Sequence, residues 1–415
     1  MNWIGWVVLV VMLAEAGLRV AADLLNLRHC DGKVPRELAD VYDPKRYAEA
    51  QAYLRARTRF GWVATGTHLT LVVGFWLFGG FSWLDIWTRG LGLGPIFTGL
   101  LYIGVLLLAR WLTGLPLDLY ATFVIETRFG FNRTTAGVFV SDLAKKMGLA
   151  LLLGGPLVAG VLAFFLYAGP RGWWICWLLV TGFTLGVQYV APTWILPLFN
   201  RFTPLADGPL REAIVAYAAG IDFPLDNVMV MDGSRRSSRS NAFFTGFGRH
   251  RRIALFDTLV QRHSVAELVG VLAHEMGHYK LRHIGVMTVL SILQVGLMLF
   301  VLSFFLSWQP LFDAFFVQSL SVHAGLVFFA LLYTPVDLLL GLFLQRQSRK
   351  NEMAADRFAA ETTAAPEALG LALKKLSVDN LTPLNPHPFY VWLNHSHPPI
   401  LERIRALGAE TPSAA

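Results

Sequence analysis

The sequence predicts a mainly α-helical protein that crosses a membrane seven times, and three observations support this fold class. Of the 415 residues, 55% are hydrophobic and only 15% are charged, whereas soluble domains carry about 25% charged residues. The apolar residues are concentrated in seven runs, each long enough for a helix of roughly 20 residues across the bilayer core. The segments between these runs alternate between rich and poor in lysine and arginine, as expected for the two sides of a membrane.

The seven predicted spans follow one another along the chain, with the longest polar segment between the fifth and the sixth. They cover residues 3–24, 61–84, 95–119, 147–168, 173–198, 284–308 and 320–344. The first span is interrupted by Glu15 and Arg19, and the last contains Asp337. Ionisable groups within a span rarely face lipid, so these groups either pair within the bundle or line a polar cavity.

The basic residues assign an orientation to the spans. Segments 21–60, 110–146, 199–283 and 345–415 carry eight, five, eleven and eight lysines and arginines, whereas segments 85–94 and 309–319 carry one and none. Because cytoplasmic loops are the basic ones, we expect the N-terminus outside and the C-terminus inside. The same rule accounts for the net charge of +7, so nucleic acid is not expected as a partner.

The strongest chemical signal is the sequence HEMGH at residues 274–278, an H-E-x-x-H pattern. His274 and His278 lie on one face of a helix, where both imidazoles can bind a single Zn²⁺, so one ion per chain is expected. A helix is indicated by the capping box that runs from Ser264 to Glu267 and by the apolar residues at helical spacing after it. Zinc lowers the pKa of a bound water to about 7. Glu275 is expected to act as general base, taking the proton as the water attacks a carbonyl.

A catalytic zinc needs a third protein ligand and an open coordination position. The nearest candidates after the seventh span are Glu352 and Asp356, one turn apart on a segment with a helical pattern. On spacing alone, Glu352 fits a ligand and an exposed acidic face paired with neighbouring basic residues equally well. His283 and Glu361 are weaker alternatives for the third ligand.

Several longer motifs extend these patterns over nearly the whole chain. They are YDP at 42–44, TGLP at 113–116, FTPL at 202–205, SNAFF at 240–244, RIALFDTL at 252–259, HEMGH, the E-x-x-x-D pair of Glu352 and Asp356, and HPP at 397–399. With these motifs the chain resembles the zinc-dependent (type I) CAAX prenyl endopeptidases. These are integral membrane metalloproteases that process prenylated C-terminal motifs and the yeast mating factor precursor.

The resemblance implies an architecture that spacing alone does not give. Seven transmembrane helices would enclose a large chamber, capped on the cytosolic side by a zincin-like α+β metalloprotease domain with a short β-sheet. Residues 1–200 would hold the first five spans, 201–283 the metal helix and 284–344 the last two spans. Residues 345–415 would complete the zinc site.

The resemblance also assigns roles to individual residues. Glu352 would be the third metal ligand, and Asp356 a second catalytic carboxylate, acting as proton donor or as support for a ligand. Asn241, Ala242 and Phe243 would begin an edge strand along which the peptide lies extended, so that backbone hydrogen bonds hold the scissile bond over the metal.

The chain departs from the family pattern in two places. The family has a histidine three residues before the His-Pro pair, where this chain has Asn394 followed by His395. Asn394, His395 and His397 are therefore all candidates for stabilising the oxyanion. A short turn replaces the long polar insert that eukaryotic members carry before the metal helix, and no C-terminal ER signal is visible. These features indicate a bacterial plasma-membrane member.

The expected function is hydrolysis of peptide bonds in CAAX-type prenylated or other membrane-associated peptides, with a peptide or protein substrate and membrane lipid as partners. A general quality-control protease for membrane proteins is an alternative and would need no prenyl group. A channel or carrier with a structural zinc would need four protein ligands, of which three are evident. A site-2 type intramembrane protease would carry HExxH inside a span, whereas here Lys280 and Arg282 separate the motif from the sixth span.

Overall fold

α-Helices account for most of the chain in the computed structural model, which describes residues 1–30, 33–225, 227–245 and 252–410. The α-helices are α1 (Trp3–His29), α2 (Pro44–Leu77), α3 (Gly80–Gly90), α4 (Pro95–Tyr120), α5 (Ala136–Leu149), α6 (Gly155–Ala168), α7 (Trp173–Val190), α8 (Leu196–Phe199), α9 (Pro209–Gly220), α10 (Asp257–Arg262), α11 (Val265–Lys280), α12 (His283–Phe305), α13 (Gln309–Ala314), α14 (Val322–Thr362), α15 (Pro366–Asp379), α16 (Pro388–Asn394) and α17 (Ile400–Glu410). The strands are β1 (Phe202–Pro204), β2 (Asn227–Met231), β3 (Ala242–Thr245) and β4 (Arg252–Phe256).

Seven helical segments are long and apolar enough to cross a membrane. They are Trp3–His29, Pro44–Leu77, Pro95–Glu126, Ala136–Ala168, Trp173–Phe199, His283–Phe305 and Val322–Thr362. The third, fourth and fifth segments each include a π-helical turn, and the turn in the fifth contains Pro192, which cannot donate to the helical hydrogen-bond ladder. The mainly α fold class and the number of spans are confirmed.

The second span differs from the sequence prediction at both ends. Its helix already begins at Pro44, where the side chain of Asp43 accepts a hydrogen bond from the N–H of Arg46 at 2.7 Å. The helix ends at Leu77, so the predicted extension to residue 84 is wrong. Gly79 has a φ of 74° and precedes the separate helix α3, and this left-handed conformation is one that glycine adopts without strain. Hydropathy does not register the break because apolar residues continue across it.

The seventh span is part of a much longer helix than the sequence predicted. α14 contains 41 residues and runs without interruption from Val322 to Thr362. It carries Glu352 and Asp356 in its last third, where the sequence predicted a separate helix. The boundary expected between residues 344 and 345 therefore falls inside a helix, and Glu352 and Asp356 lie on the same helix as the seventh span.

The seven spans form a closed ring around a chamber. Each span contacts the next one along the chain, and the seventh contacts the first and also the third and fourth. Only 6–22% of the residues in their apolar windows are buried, since side chains that face lipid and side chains that face a chamber both count as exposed. The chamber implied by the family resemblance is confirmed.

One end of the ring is closed by a packed hydrophobic core. Its fully buried members include Trp76, Tyr102, Phe312 and Phe328. The indole N–H of Trp76 donates a hydrogen bond to the carbonyl of Ala314 at 2.9 Å. The connection between the sixth and seventh spans is therefore part of this core.

At the other end of the ring, the start of α2 packs against the C-terminal segment. Tyr42 and Tyr47 share a buried cluster with Leu381 and Leu384, and the hydroxyl of Tyr42 donates to the carbonyl of Ser377 at 2.6 Å. These contacts attach the C-terminal segment to this end of the ring.

The four strands form one sheet in the order β1-β2-β4-β3. β2 and β4 are parallel, and the other two pairs are antiparallel. The short sheet is confirmed, and so is the edge position predicted for β3. α11 packs against the sheet through a core that contains Ile253, Leu255, Leu272 and Met276, which places the HEMGH helix beside the edge strand.

Candidate metal centre and active site

The metal helix α11 begins with the predicted capping box. The side chain of Ser264 accepts from the N–H of Glu267 at 3.3 Å, and the Glu267 carboxylate accepts from the N–H of Ser264 at 3.2 Å. Lys375 from α15 donates to the same carboxylate at 2.6 Å. Burial alone would raise the pKa of Glu267, but the hydrogen bonds from Lys375 and the Ser264 N–H, together with the nearby positive charge, outweigh it and hold this pKa below the usual range. The start of the helix is therefore fixed to the C-terminal segment.

Three side chains converge beyond the first turns of α11. Nε2 of His274 lies 3.2 Å from Nε2 of His278. The carboxylate of Glu352 on α14 lies 3.4 Å from Nε2 of His274 and 3.3 Å from Nε2 of His278. Among the described residues these three form a group that could hold a metal ion, with all ligand atoms within 4.8 Å of one another. Neither His283 nor Glu361 belongs to this group.

The close approach of α11 and α14 depends on Gly277 inside the HEMGH motif. A Cβ at this position would lie 3.0 Å from the ring of Phe358 and 3.4 Å from the Cα of Ala355. Because contacts this short are tighter than ordinary van der Waals contact, a larger residue would push α14 away. Glu352 would then move away from the two histidines.

A buried ion pair lies on the Nδ1 side of the His274 ring. Nδ1 of His274 lies 2.8 Å from the carboxylate of Asp356, and Arg403 from α17 donates to both oxygens of that carboxylate at 2.7 and 2.6 Å. Asp356 is 2% exposed and Arg403 is 9% exposed.

The carboxylates of this site raise the pKa of both His274 and Arg403. Burial opposes a charged imidazole, but the hydrogen bonds to Asp356 and Glu352 outweigh it and raise the pKa of His274 to about 9. Burial also opposes the charge on Arg403, but the carboxylate of Asp356, together with the charges of Glu352 and Glu275, outweighs burial and raises the pKa of Arg403.

The second histidine of the motif has a different partner. Nδ1 of His278 lies 3.1 Å from Nδ1 of His283, at the start of α12. His283, considered from the sequence as a rival ligand, therefore contacts the side of the His278 ring that faces away from Glu352.

A cavity of about 470 Å³ opens onto the metal-binding group. Glu275 is half-buried and lines it together with His274, His278 and Glu352. Asn241, Ala242 and Phe243 line the same cavity. The structure thus brings the residues predicted to bind substrate to the residues predicted to bind metal.

The three candidate residues in the tail do not all reach this cavity. His397 lines it, and its Nε2 lies 3.4 Å from the carboxylate of Glu352. The side-chain amide of Asn394 instead donates to the carbonyl of Tyr390 at 3.2 Å, and the ring of His395 contacts Tyr390 edge-on. Among these three, His397 is the one that lines the cavity.

The sequence pattern does not mark Arg403. It is one arginine in a C-terminal helix, and arginine is common on exposed helical faces. The available signal is weak: Arg403 lies four residues after the end of the HPP motif at 397–399. Its partnership with Asp356 requires α17 to pack against α14, which is a tertiary contact.

Known proteins share both parts of this structure. Residues 23–201 match the family model described as CAAX prenyl protease N-terminal, five membrane helices, and residues 204–411 match peptidase family M48. The CAAX prenyl protease 1 homolog of Oryza sativa subsp. japonica is 35% identical over 388 residues, which is 90% of each chain. The homolog of Homo sapiens is 33% identical over 90% of this chain and 88% of its own.

A solved structure extends the similarity to three dimensions. The crystal structure of S. mikatae Ste24p superposes with a TM-score of 0.89 at 30% identity, covering 98% of this chain and 99% of the other. The resemblance indicated by the sequence motifs is confirmed over nearly the full length. The chain belongs to peptidase family M48, within the group of membrane metalloendopeptidases that carry the five-helix CAAX prenyl protease N-terminal domain.

Proposed function

We propose that this chain is a zinc endopeptidase that cleaves CAAX-type prenylated peptides or other membrane-associated peptides. The observation that carries the proposal is the shared cavity, because the free edge of the sheet at residues 241–243 and the metal-binding group line the same space. The names of the relatives, CAAX prenyl protease 1 and its homologs, support this substrate class.

Zinc is the metal that fits this set of ligands. In a tetrahedral zinc site with bonds of about 2.1 Å, the ligand atoms lie about 3.4 Å apart. The Nε2 atoms of His274 and His278 lie 3.2 Å apart, and each lies near this spacing from a different oxygen of Glu352, at 3.4 Å from Oε2 and 3.3 Å from Oε1 respectively. Three protein ligands leave a coordination position open, as a catalytic site requires, and we expect one ion per chain. When bound, Zn²⁺ supplies Lewis acidity that makes water nucleophilic near neutral pH and polarises a carbonyl.

Glu275 is the proposed general base. It follows His274 directly on α11 and lines the cavity without belonging to the metal-binding group. Its carboxylate takes the proton of the attacking water and then delivers it to the leaving amine.

Asp356 is the proposed positioning residue for His274. A hydrogen bond from Nδ1–H to this carboxylate fixes the tautomer of the ring, so that Nε2 faces the metal. Of the two roles that the family resemblance allowed, these contacts favour support of the ligand over proton donation, because Asp356 is buried with Arg403 and does not line the cavity.

His397 is the proposed oxyanion stabiliser. It is the tail histidine that lines the cavity, and its Nε2 lies 3.4 Å from the carboxylate of Glu352. A donor at this position would meet the negative charge that develops on the substrate carbonyl oxygen.

The substrate is proposed to lie extended between β3 and α15. Its backbone would pair with the edge strand by strand addition. Leu369, Leu373 and Leu376 of α15 form an apolar wall of the cavity, which suits aliphatic side chains in the substrate.

The sheet and metal site are proposed to face the cytosol, with the N-terminus outside. The richly basic segments that flank the sheet support this orientation. The short turn before the metal helix supports a bacterial plasma-membrane location.

Matched peptides test the proposed function. Purified protein would be assayed on a farnesylated CAAX peptide and on the same peptide without the lipid, each with and without a chelator. We expect chelator-sensitive cleavage of the farnesylated peptide. Equal rates on both peptides would favour the quality-control alternative, and no cleavage of either by zinc-loaded protein would refute the proposal.

A further inference from the structure

A second cavity, of about 790 Å³, lies between α2 and the third span at the end of the ring that carries the sheet. Three arginines line it, Arg55 and Arg59 from α2 and Arg128 from the end of the third span. The described residues that line the cavity include no acidic side chain. We propose that this cavity binds the headgroup of an anionic phospholipid.

The acidic residue nearest to Arg128 in the sequence is paired with arginines that do not line the cavity. Glu126 lies two residues from Arg128, but it accepts hydrogen bonds from Arg57 and Arg239 at 2.6 and 2.9 Å. Arg59 and Arg128 are exposed. Guanidinium groups present several donors in a plane that matches phosphate oxygens, so an anionic headgroup is the chemical complement of this surface.

The cavity opens on the outer side of the ring. Arg59 and Val63 lie one turn apart on the same face of α2 and are exposed. Tyr47 and Ala50, on the opposite face, are buried in a cluster that includes Leu381 of the C-terminal segment. The arginine face therefore points away from the protein interior and toward lipid.

Aromatic and aliphatic side chains continue from the arginines along the two helices. Phe60 and Tyr120 stack with their ring centroids 5.3 Å apart, and aromatic rings of this kind favour the headgroup level of a membrane. Val63 is 57% exposed and lies with Leu117 further toward the apolar part of both helices.

This arrangement favours a lipid over free phosphate. A phosphate ion would satisfy the guanidiniums but would leave the apolar side chains beyond them uncovered. A phospholipid satisfies both, because its headgroup pairs with the arginines while its acyl chains cover Val63 and Leu117. Basic pockets between transmembrane helices at the membrane surface are known to bind anionic headgroups in this way.

Native mass spectrometry of the full-length protein tests the proposal. The protein would be released from phosphatidylcholine nanodiscs and from nanodiscs of equimolar phosphatidylcholine and phosphatidylglycerol. We expect retained phosphatidylglycerol on the wild type. In the double variant Arg59→Gln/Arg128→Gln, retention should be weaker by roughly thirtyfold, the factor expected when two arginines near a membrane surface lose an anionic headgroup.

Matched variants separate a specific site from general charge. Arg133→Gln/Arg201→Gln removes the same charge from exposed positions outside the cavity and should retain phosphatidylglycerol like the wild type. Arg59→Lys/Arg128→Lys keeps the charge and should recover much of the binding. Thermal unfolding in phosphatidylcholine alone should be similar for all variants.

Three results would overturn the proposal. The first is equal phosphatidylglycerol retention by wild type and Arg59→Gln/Arg128→Gln. The second is an equal loss in the Arg133→Gln/Arg201→Gln control. The third is displacement of the lipid by millimolar inorganic phosphate, which would identify a free-phosphate site.

Discussion

Asp356 lies on the side of the His274 ring opposite the proposed metal position, with its carboxylate 2.8 Å from Nδ1. The same carboxylate takes two hydrogen bonds from Arg403, so its own position is fixed. A carboxylate behind a metal-binding histidine selects the ring tautomer and increases the basicity of the ligand nitrogen. We therefore expect Asp356 to affect zinc affinity more directly than proton transfer.

We expect Asp356→Asn to weaken zinc binding by about 10- to 100-fold, the usual effect of removing such a partner. The variant keeps the side-chain volume and removes the charge that orients His274. Zinc affinity would be measured by competition with a chelator of known affinity, and kcat/KM at saturating zinc in parallel.

A matched control for this substitution is available in the chain. Asp142 and Arg236 form another two-bond pair at 2.7 and 2.8 Å, away from the metal-binding group. Asp142→Asn should reduce thermal stability while leaving zinc affinity unchanged. If Asp356→Asn kept wild-type zinc affinity but lost turnover, Asp356 would be a proton donor and its proposed positioning role would be wrong.

Substitutions of Glu275 and Glu352 should have different effects, one on turnover and the other on zinc binding. We expect Glu275→Ala to keep zinc and to lower kcat by about 10²- to 10⁴-fold, the range for a general base. Glu352→Ala should lose zinc affinity, because it removes one of three ligands. Zinc content by mass spectrometry and single-turnover cleavage measure the two effects.

Metal removal provides the reference for both glutamate variants. Stripping wild-type protein with a chelator should abolish cleavage, and added Zn²⁺ should restore it. An empty site in Glu275→Ala together with full occupancy in Glu352→Ala would reverse the assigned roles.

Local sequence signals predicted much of this structure. The metal helix was predictable from two local spacings. Ser264 and Glu267 of the capping box are three residues apart, and His274 and His278 are four residues apart; a helix brings residues at both spacings together. The spans were predictable because hydropathy reports burial in lipid. The break at Gly79 was missed because it depends on one backbone angle inside an apolar run.

The remaining parts of the site depend on tertiary packing. Glu352 reaches His274 because α14 continues past the seventh span as one helix and packs against Gly277. Spacing could not establish this, and the family resemblance was needed. Arg403 and Lys375 come from separate C-terminal helices, and their contacts with Asp356 and Glu267 have no periodicity that a sequence pattern could display.

The proposed topology can be tested at a turn that tolerates insertion. The connection at residues 309–319 contributes Leu311, Phe312 and Phe315 to the buried core, so a reporter placed there would disrupt packing. The turn between α3 and α4 is exposed and contains Gly92. A reporter inserted at Gly92 should be external, and one fused after Ala415 cytoplasmic. Cytoplasmic signals from both positions would contradict the assigned orientation.

If a peptide adds to the edge of β3, only the residues whose backbone N–H groups point to that edge can donate hydrogen bonds to it. The N–H of Phe256 donates to the carbonyl of Asn241 at 3.0 Å, so these two residues form a hydrogen-bonded pair. In an antiparallel ladder such pairs alternate with non-bonded pairs. Ala242, opposite Leu255, and Phe244, opposite Ile253, therefore direct their N–H groups away from β4 toward the open edge.

Side-chain contacts are consistent with this assignment. The N–H of Ala242 donates to the side-chain oxygen of its neighbour Asn241 at 2.9 Å, so it is not used by β4. An entering peptide carbonyl would replace that side-chain acceptor. The N–H of Phe243, in contrast, belongs to the ladder with Ala254.

Proline scanning distinguishes these positions because proline removes one backbone donor and is tolerated where the N–H faces an open edge. We expect Ala242→Pro and Phe244→Pro to lower kcat/KM by about 3- to 10-fold, corresponding to one lost hydrogen bond of about 1 kcal/mol, with zinc content unchanged. Ala242→Ser and Phe244→Ala, which keep the N–H, are the controls. Phe243→Pro should instead lower thermal stability, because it breaks a bond within the sheet. If folded, zinc-loaded Ala242→Pro and Phe244→Pro matched their controls in kcat/KM, the peptide would have to bind somewhere other than the edge of β3.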